Sequence, residues 1–109
     1  MGTMQLFRYQ RLDGSGPFTE WLNGVRDKAT QARIRVRLQR LVAGSLGDVK
    51  SVGGGVSELR LQFGAGYRIY LSQQGATWIL LLCGGDKSSQ QRDIAKAQSY
   101  LGDWKARQK

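Results

Sequence analysis

The sequence predicts an α+β domain in which a twisted antiparallel sheet carries a helical hairpin on one face. Three observations predict this class. The 109 residues suit one domain and not two independent cores. Two stretches of helical apolar periodicity precede a block of alternating apolar and polar residues, and a third follows it. Glycine-rich turns separate these stretches. The predicted order is β-α-α-β-β-β-α, in a single domain over residues 1–109.

The N-terminal half contains the first strand and the predicted helical hairpin. Apolar and aromatic residues over 4–9 are typical of a short strand. Pro17 suits the first turn of a helix. The apolar stripe of that helix recurs at i, i+3, i+4 and i+7 in Phe18, Trp21, Leu22 and Val25. Asp27 is the predicted N-cap of a second helix over 28–42, which Gly44 ends.

The C-terminal half contains three predicted strands and a last helix. Residues 44–55 are rich in glycine and lack periodicity, and we interpret them as a mobile connection. Alternation then predicts strands over 58–63, 67–72 and 77–83, the last of them apolar throughout and therefore central. The terminal helix is predicted to begin with a capping box at Ser88.

The hairpin formed by the first two of these strands has a register that can be derived. A three-residue loop over 64–66 places Phe63 opposite Tyr67. The pairs that follow along the ladder are Gln62 with Arg68, Arg60 with Tyr70, and Glu58 with Ser72. These six polar residues share one face, which is either left open or partly lined by the C-terminal segment. The opposite, apolar face needs a cover, which the helical hairpin provides.

The composition favours a polyanionic partner. Seventeen Lys and Arg against eight Asp and Glu give a net charge of +9, which places nucleic acid ahead of a membrane surface. The absence of histidine and the single cysteine exclude the usual zinc sites and the Ser-His-Asp and Cys-His nucleophile systems, so no metal or cofactor is expected. The longest apolar run, 78–83, is far shorter than the roughly 20 residues of a membrane span, and a cytoplasmic location is expected.

Cationic residues from separate segments are predicted to meet at one end of the hairpin. The third strand of the meander runs antiparallel to the second, so Lys87 arrives beside Arg68 and the N-terminus of the last helix. Two cations and a helix N-terminus suit a phosphate. Arg60 and Tyr70 lie on the same face, about 7 Å further along, near the spacing of successive phosphates. In the alternative interpretation, Arg60 and Glu58 form a solvent-side cross-strand pair and Tyr70 only covers the sheet.

The second helix carries a basic ridge of Arg33, Arg37 and Arg40, spaced i, i+4 and i+7. A solvated helix face and a surface that follows nucleic-acid phosphates both explain this ridge. Together with Arg60 and Gln62, the three arginines are the candidate RNA-binding residues.

Three segments resemble the HigB-like addiction-module killer proteins of the RelE/ParE toxin superfamily. They are GVSELR at 55–60, GAGYRIY at 64–70 and LCGGDKSSQQRDIA at 82–95. The segments occur at the correct relative spacing, and the similarity covers nearly the whole chain in the same element order.

The resemblance implies a RelE-like fold and a small basic toxin that pairs with a cognate helix-turn-helix antitoxin, as a possible hetero-oligomer. It also implies a metal-independent endoribonuclease that cleaves messenger RNA on the ribosome and so inhibits translation. By position, Arg68 matches the catalytic or phosphate-holding arginine of the family, Arg60 a basic residue of the preceding strand, and Lys87 the basic residue after the last strand. Some relatives use a C-terminal tyrosine or a histidine close to the cut, but this chain lacks histidine and its Tyr100 lies on the predicted last helix. The candidates for acid and base are Tyr70, Lys87 and Glu58.

The implied reaction is attack of a ribose 2′-OH on the adjacent phosphate with expulsion of the 5′-oxygen. Arg68 and Lys87 would stabilise the negative charge that develops on the phosphate. Two alternatives stay open: a ParE-like toxin that poisons DNA gyrase, and a non-catalytic RNA-binding domain that uses the same basic surfaces.

Overall fold

A computed structural model describes residues 3–108. Its elements in chain order are β1 (Gln5–Arg8), α1 (Pro17–Gly24), α2 (Lys28–Val42), β2 (Val49–Gly53), β3 (Val56–Arg60), β4 (Arg68–Gln74), β5 (Trp78–Gly85), a short 3-10 helix (Lys87–Ser89) and α3 (Gln90–Arg107). The strands form one sheet in the order β1-β5-β4-β3-β2. The predicted α+β class is confirmed.

The two helices of the N-terminal half follow their sequence signals. Pro17 lies in the first turn of α1. The Asp27 side chain caps α2, where it accepts hydrogen bonds from the Ala29 N–H at 3.2 Å and the Thr30 hydroxyl at 2.8 Å. Gly44, with a φ of +91°, follows the end of α2. The predicted bounds of α2 are therefore confirmed.

The glycine-rich segment 44–55 is not the mobile connection that the sequence predicts. Val49–Gly53 form β2, which pairs antiparallel with β3. The turn between the two strands uses positive φ values at Gly53, Gly54 and Gly55. The prediction was wrong because this edge strand is mostly exposed and therefore has no alternating apolar pattern. The strand is defined by its backbone pairing with β3, which the side chains do not reveal. The observed order therefore has one strand more than predicted.

The sheet is mixed and not antiparallel throughout. β1 runs parallel to β5, with Gln5 opposite Trp78 and Arg8 opposite Leu81. The other neighbouring strands are antiparallel. The prediction of an antiparallel sheet was wrong for β1, because the helical hairpin separates this strand from the meander and no short turn fixes its direction.

The register between β3 and β4 also differs from the predicted one. The observed pairs include Arg60 with Arg68 and Glu58 with Tyr70, a shift of two residues on β4. The loop is longer than predicted, since the Leu61 N–H donates to the Tyr67 carbonyl at 2.9 Å. A shift of two residues leaves every side chain on its predicted face, because side chains alternate with a period of two.

Apolar side chains cover both faces of the sheet. α1 and α2 lie on one face, where Ile34, Leu59 and Ile69 are fully buried. This arrangement confirms the predicted helical hairpin. α3 lies on the other face and buries Ala97 and Leu101 against it. No helix within residues 3–108 has the length and apolar character needed to cross a bilayer.

The two layers approach the sheet closely at the end of β5. A Cβ on Gly84 would overlap the Trp21 ring of α1, and a Cβ on Gly85 would overlap the Asp93 carboxylate of α3. Gly85 lies opposite Arg68 in the sheet. The absence of a side chain at both glycines therefore allows both helical layers to close around the segment that contains Arg68.

Candidate nucleic-acid interface

A groove of about 540 Å³ lies between α2, the loop that follows it and the end of β3. We call it the arginine groove. All five candidate RNA-binding residues line it: Arg33, Arg37 and Arg40 from α2, and Arg60 and Gln62 from β3 and the residues after it. The sequence predicts these residues as two separate groups, and the structure brings them together on one surface.

The groove has an excess of positive charge. Its lining contains four arginines and one carboxylate, that of Asp48. The Gln62 amide donates to the Asp48 side chain at 2.9 Å, and the Arg60 N–H donates to the Asp48 carbonyl at 3.0 Å. Asp48 therefore ties the loop to the end of β3. The arginine excess gives the groove a potential that attracts polyanions.

An aromatic ring lies under one of the arginines. The guanidinium carbon of Arg33 is 4.2 Å from the centroid of the Phe63 ring. Arg33 is exposed and Phe63 is half-buried. A guanidinium plane and an aromatic face are the two surfaces on which proteins stack the bases of single-stranded nucleic acid. The groove thus combines groups for phosphates with a surface for a base.

Arg37 has a structural role in addition to its position in the groove. It donates to the carbonyls of Ser45 and Leu46 at 3.2 Å and 2.7 Å. Burial, together with the neighbouring charge of Arg40, lowers the pKa of Arg37. These bonds hold the loop after α2 and so shape one wall of the groove.

A buried carboxylate lies behind the groove. Glu58 has no exposed surface and accepts hydrogen bonds from Arg60 Nε at 3.2 Å, the Tyr70 hydroxyl at 3.1 Å and Gln90 Nε2 at 2.8 Å. Arg68 Nε lies 3.5 Å away. We call these five residues the Glu58 cluster. Burial opposes ionisation of Glu58, but the bonds from Gln90, Arg60 and Tyr70 and the charge of Arg68 outweigh it and hold its pKa below the usual value.

Arg68 is not the open phosphate contact that the sequence predicts. It is 8% exposed, and its Nη1 donates to the Gly66 carbonyl at 2.7 Å. Its Nε faces Glu58 and has no hydrogen-bond partner within residues 3–108. The sequence-based alternative placed Glu58 on the solvent side, whereas α3 covers that side and encloses the Glu58–Arg68 pair.

Tyr70 is also unavailable to a ligand in this conformation. Its side chain is fully buried and donates to Glu58. Burial and the negative charge of Glu58 raise the pKa of Tyr70 well above its ordinary value. The phenol is therefore covered and holds its proton more tightly than a free tyrosine does, and its role as an acid or base stays a prediction.

Lys87 is exposed and lies close to Arg68, as predicted. The two side chains flank Gly66: a Cβ built there would lie 3.2 Å from Lys87 Cβ and 3.4 Å from Arg68 Nη1. The Lys87 N–H also donates to the Ala65 carbonyl at 3.4 Å. Lys87 is thus the cation of this pair that faces solvent.

The N-terminus of the last helix already carries an acidic cap. The Asp86 carboxylate accepts from the Ser88 N–H at 2.8 Å and forms a capping box with Ser89. The hydrogen bond from Ser88 lowers the pKa of Asp86. The predicted capping box at Ser88 was wrong, and the predicted phosphate position beside Lys87 contains a negative charge. Within residues 3–108, no group of three or more His, Cys, Asp or Glu side chains is arranged to hold a metal ion.

Sequence reasoning missed three residues that shape these sites: Gln90, Asp48 and Phe63. Gln90 lies inside a family-like segment, but nothing in the sequence separates it from Gln91, and only the direction of α3 selects it. Asp48 lies in the segment interpreted as mobile. Phe63 was assigned to the apolar sheet face, and its contact with Arg33 depends on how α2 packs.

Comparison with curated proteins found a relative in Haemophilus influenzae that is described as an uncharacterized protein. It is 46% identical to this chain over 81 residues, which are 74% of this chain and 82% of the relative. No protein-family model matches the chain.

Proposed function

The chain belongs to the same protein family as the Haemophilus influenzae relative, and we propose that it is a toxin of the HigB-like branch of the RelE/ParE superfamily, with a RelE-like fold. It acts with the ribosome as a metal-independent endoribonuclease on messenger RNA, and a cognate helix-turn-helix antitoxin binds it. The observation that carries the proposal is the arginine groove, where Arg33, Arg37, Arg40 and Arg60 face one channel.

The groove has the features that single-stranded RNA requires. Arg33 and Arg40 are exposed and follow one side of α2, so both are available to phosphates of one strand. Arg33 and Phe63 offer a surface for a base. Each phosphate that an arginine neutralises releases counterions, so the binding is salt-dependent.

The cleavage needs a group that stabilises charge, a base and an acid. The base takes the proton from the 2′-OH, whose oxygen bonds to phosphorus, and the acid protonates the departing 5′-oxygen. The products are a 2′,3′-cyclic phosphate and a 5′-OH.

Lys87 is exposed beside Gly66 and stabilises the phosphate charge. The other two acid–base candidates, Tyr70 and Glu58, are fully buried. Because both are covered in the free protein, the proposed reaction requires that the ribosome completes the site.

Expression of the chain without its antitoxin tests the proposal. We expect growth arrest, and primer extension should map new 5′ ends within the codon at the ribosomal A site. Lys87→Ala should abolish these ends, because it removes the exposed cation that stabilises the phosphate. Lys96→Ala is the matched control, since Lys96 is an exposed lysine on α3 outside the site. Equal cleavage by both variants would remove Lys87 from the mechanism.

Binding to a labelled ten-nucleotide RNA tests the groove itself. Loss of one phosphate contact in Arg40→Ala should reduce the slope of log affinity against log salt by about 0.7. Arg35→Ala should leave the slope unchanged, because Arg35 is exposed on the same helix but does not line the groove. If both variants change the slope equally, binding depends on net charge and not on the groove.

A non-catalytic RNA-binding domain is the second candidate. The pairing of Arg68 with Glu58 and the burial of Tyr70 favour it. Such a domain would bind the RNA through the groove but would cause neither growth arrest nor new messenger ends. Accumulation of cleaved DNA in place of cleaved messenger would instead support a toxin that poisons DNA gyrase.

A further inference from the structure

The edge of the sheet at β1 offers backbone groups to another strand. The Gln5 N–H donates to the Thr77 carbonyl at 2.8 Å and the Tyr9 N–H to the Leu81 carbonyl at 2.9 Å, both towards β5. Backbone groups alternate in direction along a strand. The N–H and C=O groups of Leu6 and Arg8 therefore point away from β5. Because β1 ends the strand order, these groups face outwards.

An aromatic surface lies beside this edge. Phe7 is 48% exposed, which is unusual for a phenylalanine. Its ring centroid is 5.1 Å from that of Trp78, and Trp78 is 5.6 Å from Trp104 in α3. The three rings line a depression of about 450 Å³. In a strand added at this edge, every second side chain would point to this face of the sheet, and an apolar one would pack in the depression.

The two edges of the sheet differ in how they are protected. At the β2 edge, Lys50 is exposed and the register breaks between Ser51 and Gly53. Lysines and bulges on an edge strand discourage further pairing. Gln98 also donates to the Gly53 carbonyl at 3.2 Å. At the β1 edge, the Met4 N–H donates to the Val42 carbonyl at 2.7 Å and the Gln10 carbonyl accepts from Arg107 at 2.6 Å. The strand between them keeps a continuous register over four pairs with β5 and presents an aromatic residue. This edge therefore suits strand addition.

Charge identifies the occupant. The depression is lined by Arg8 and Arg107. Arg107 already pairs with Asp103 at 2.8 Å, so Arg8 is the cation that an acidic ligand would meet. A second copy of the chain would oppose two net charges of +9. A nucleic acid has no backbone that completes a β ladder. We propose that the β1 edge binds an acidic, extended segment of a partner protein, which adds to the sheet as a sixth strand.

Selection of displayed peptides on the intact chain tests this proposal. A random library of twelve-residue peptides is panned on the wild-type protein, and binding of the selected peptides is measured from the tryptophan fluorescence of the protein. We expect acidic peptides with alternating apolar residues. Phe7→Ala should weaken them at least about tenfold, as loss of an aromatic anchor does. Leu12→Ala, which removes a side chain that is 86% exposed outside both the depression and the arginine groove, should not.

Charge reversal provides a second variant. Panning on Arg8→Glu should no longer select acidic peptides, and the peptides selected on the wild type should bind it at least about tenfold more weakly, because a carboxylate then opposes them. Unchanged melting temperatures show that each variant is folded. The proposal is overturned if panning enriches no peptide, if neither variant weakens binding, if a ten-nucleotide RNA displaces the peptides, or if the wild type is a dimer that Phe7→Ala dissociates. None of these outcomes bears on the proposed function, in which Lys87 takes part in messenger cleavage and the arginine groove binds the RNA.

Discussion

The arginine groove and the Glu58 cluster use the same side chain in opposite ways. Arg33 and Arg40 of the groove are exposed to solvent, whereas Arg68 of the cluster is 8% exposed and faces a buried carboxylate. Arg60 belongs to both regions: its side chain is 39% exposed and lines the groove while its Nε donates to Glu58. The surroundings of an arginine, and not its presence in a motif, therefore decide whether it is free to bind a phosphate.

The physical reason is the cost of removing charge from water. A buried carboxylate is tolerated only when donors satisfy it, and removing one member of a buried pair leaves an uncompensated charge. Arg33 and Arg40 of the groove are exposed and keep their hydration, so their contribution to folding is small. Stability should therefore depend on the cluster, and affinity for RNA should depend on the groove.

Glu58→Ala should have the largest effect. It removes the acceptor shared by Arg60, Tyr70 and Gln90 and leaves the charge of Arg68 buried without a counter-ion. We expect a loss of about 3–5 kcal/mol in the free energy of unfolding, measured by urea denaturation.

Glu20→Ala is the matched control for that variant. Glu20 forms an exposed ion pair with Arg11 at 3.3 Å, and such pairs contribute at most about 1 kcal/mol. Similar losses in the two variants would mean that the Glu58 cluster does not stabilise the fold, and the contrast between the two regions would fail.

Arg68→Ala and Arg40→Ala separate the two regions directly. Arg68→Ala should cost about 1–3 kcal/mol, because Glu58 keeps its three other donors but loses the facing charge. Arg40→Ala should stay within about 0.5 kcal/mol of the wild type, since the side chain is exposed. Thermal and urea unfolding measure both. A destabilising Arg40→Ala with a neutral Arg68→Ala would reverse the assignment.

The sequence predicted the helices and most of the strands, because these have strong local signals. α2 has a cap at Asp27, an apolar stripe and a glycine stop, and its bounds were correct. The groove depends on packing that no local pattern reports: Arg33 meets Phe63 only because α2 lies against the end of β3. For the same reason the solvent-side position of Glu58 stayed open as an alternative, since the alternation shows a polar face but not that α3 covers it.

The dependence of stability on pH should show the smallest effect and refine the comparison. The pKa of Glu58 is lowered in the folded state, so its ionised form stabilises the fold above the unfolded pKa of about 4.3, and this contribution is lost as the pH falls through the folded pKa. Asp13, Asp86 and Asp103 have lowered pKa values too, so the wild type and Glu58→Gln should both lose stability below about pH 5. Urea titrations between pH 7 and pH 3 should nevertheless give a steeper loss for the wild type. Parallel curves would show that Glu58 is equally acidic in both states and that its donors do not hold it ionised.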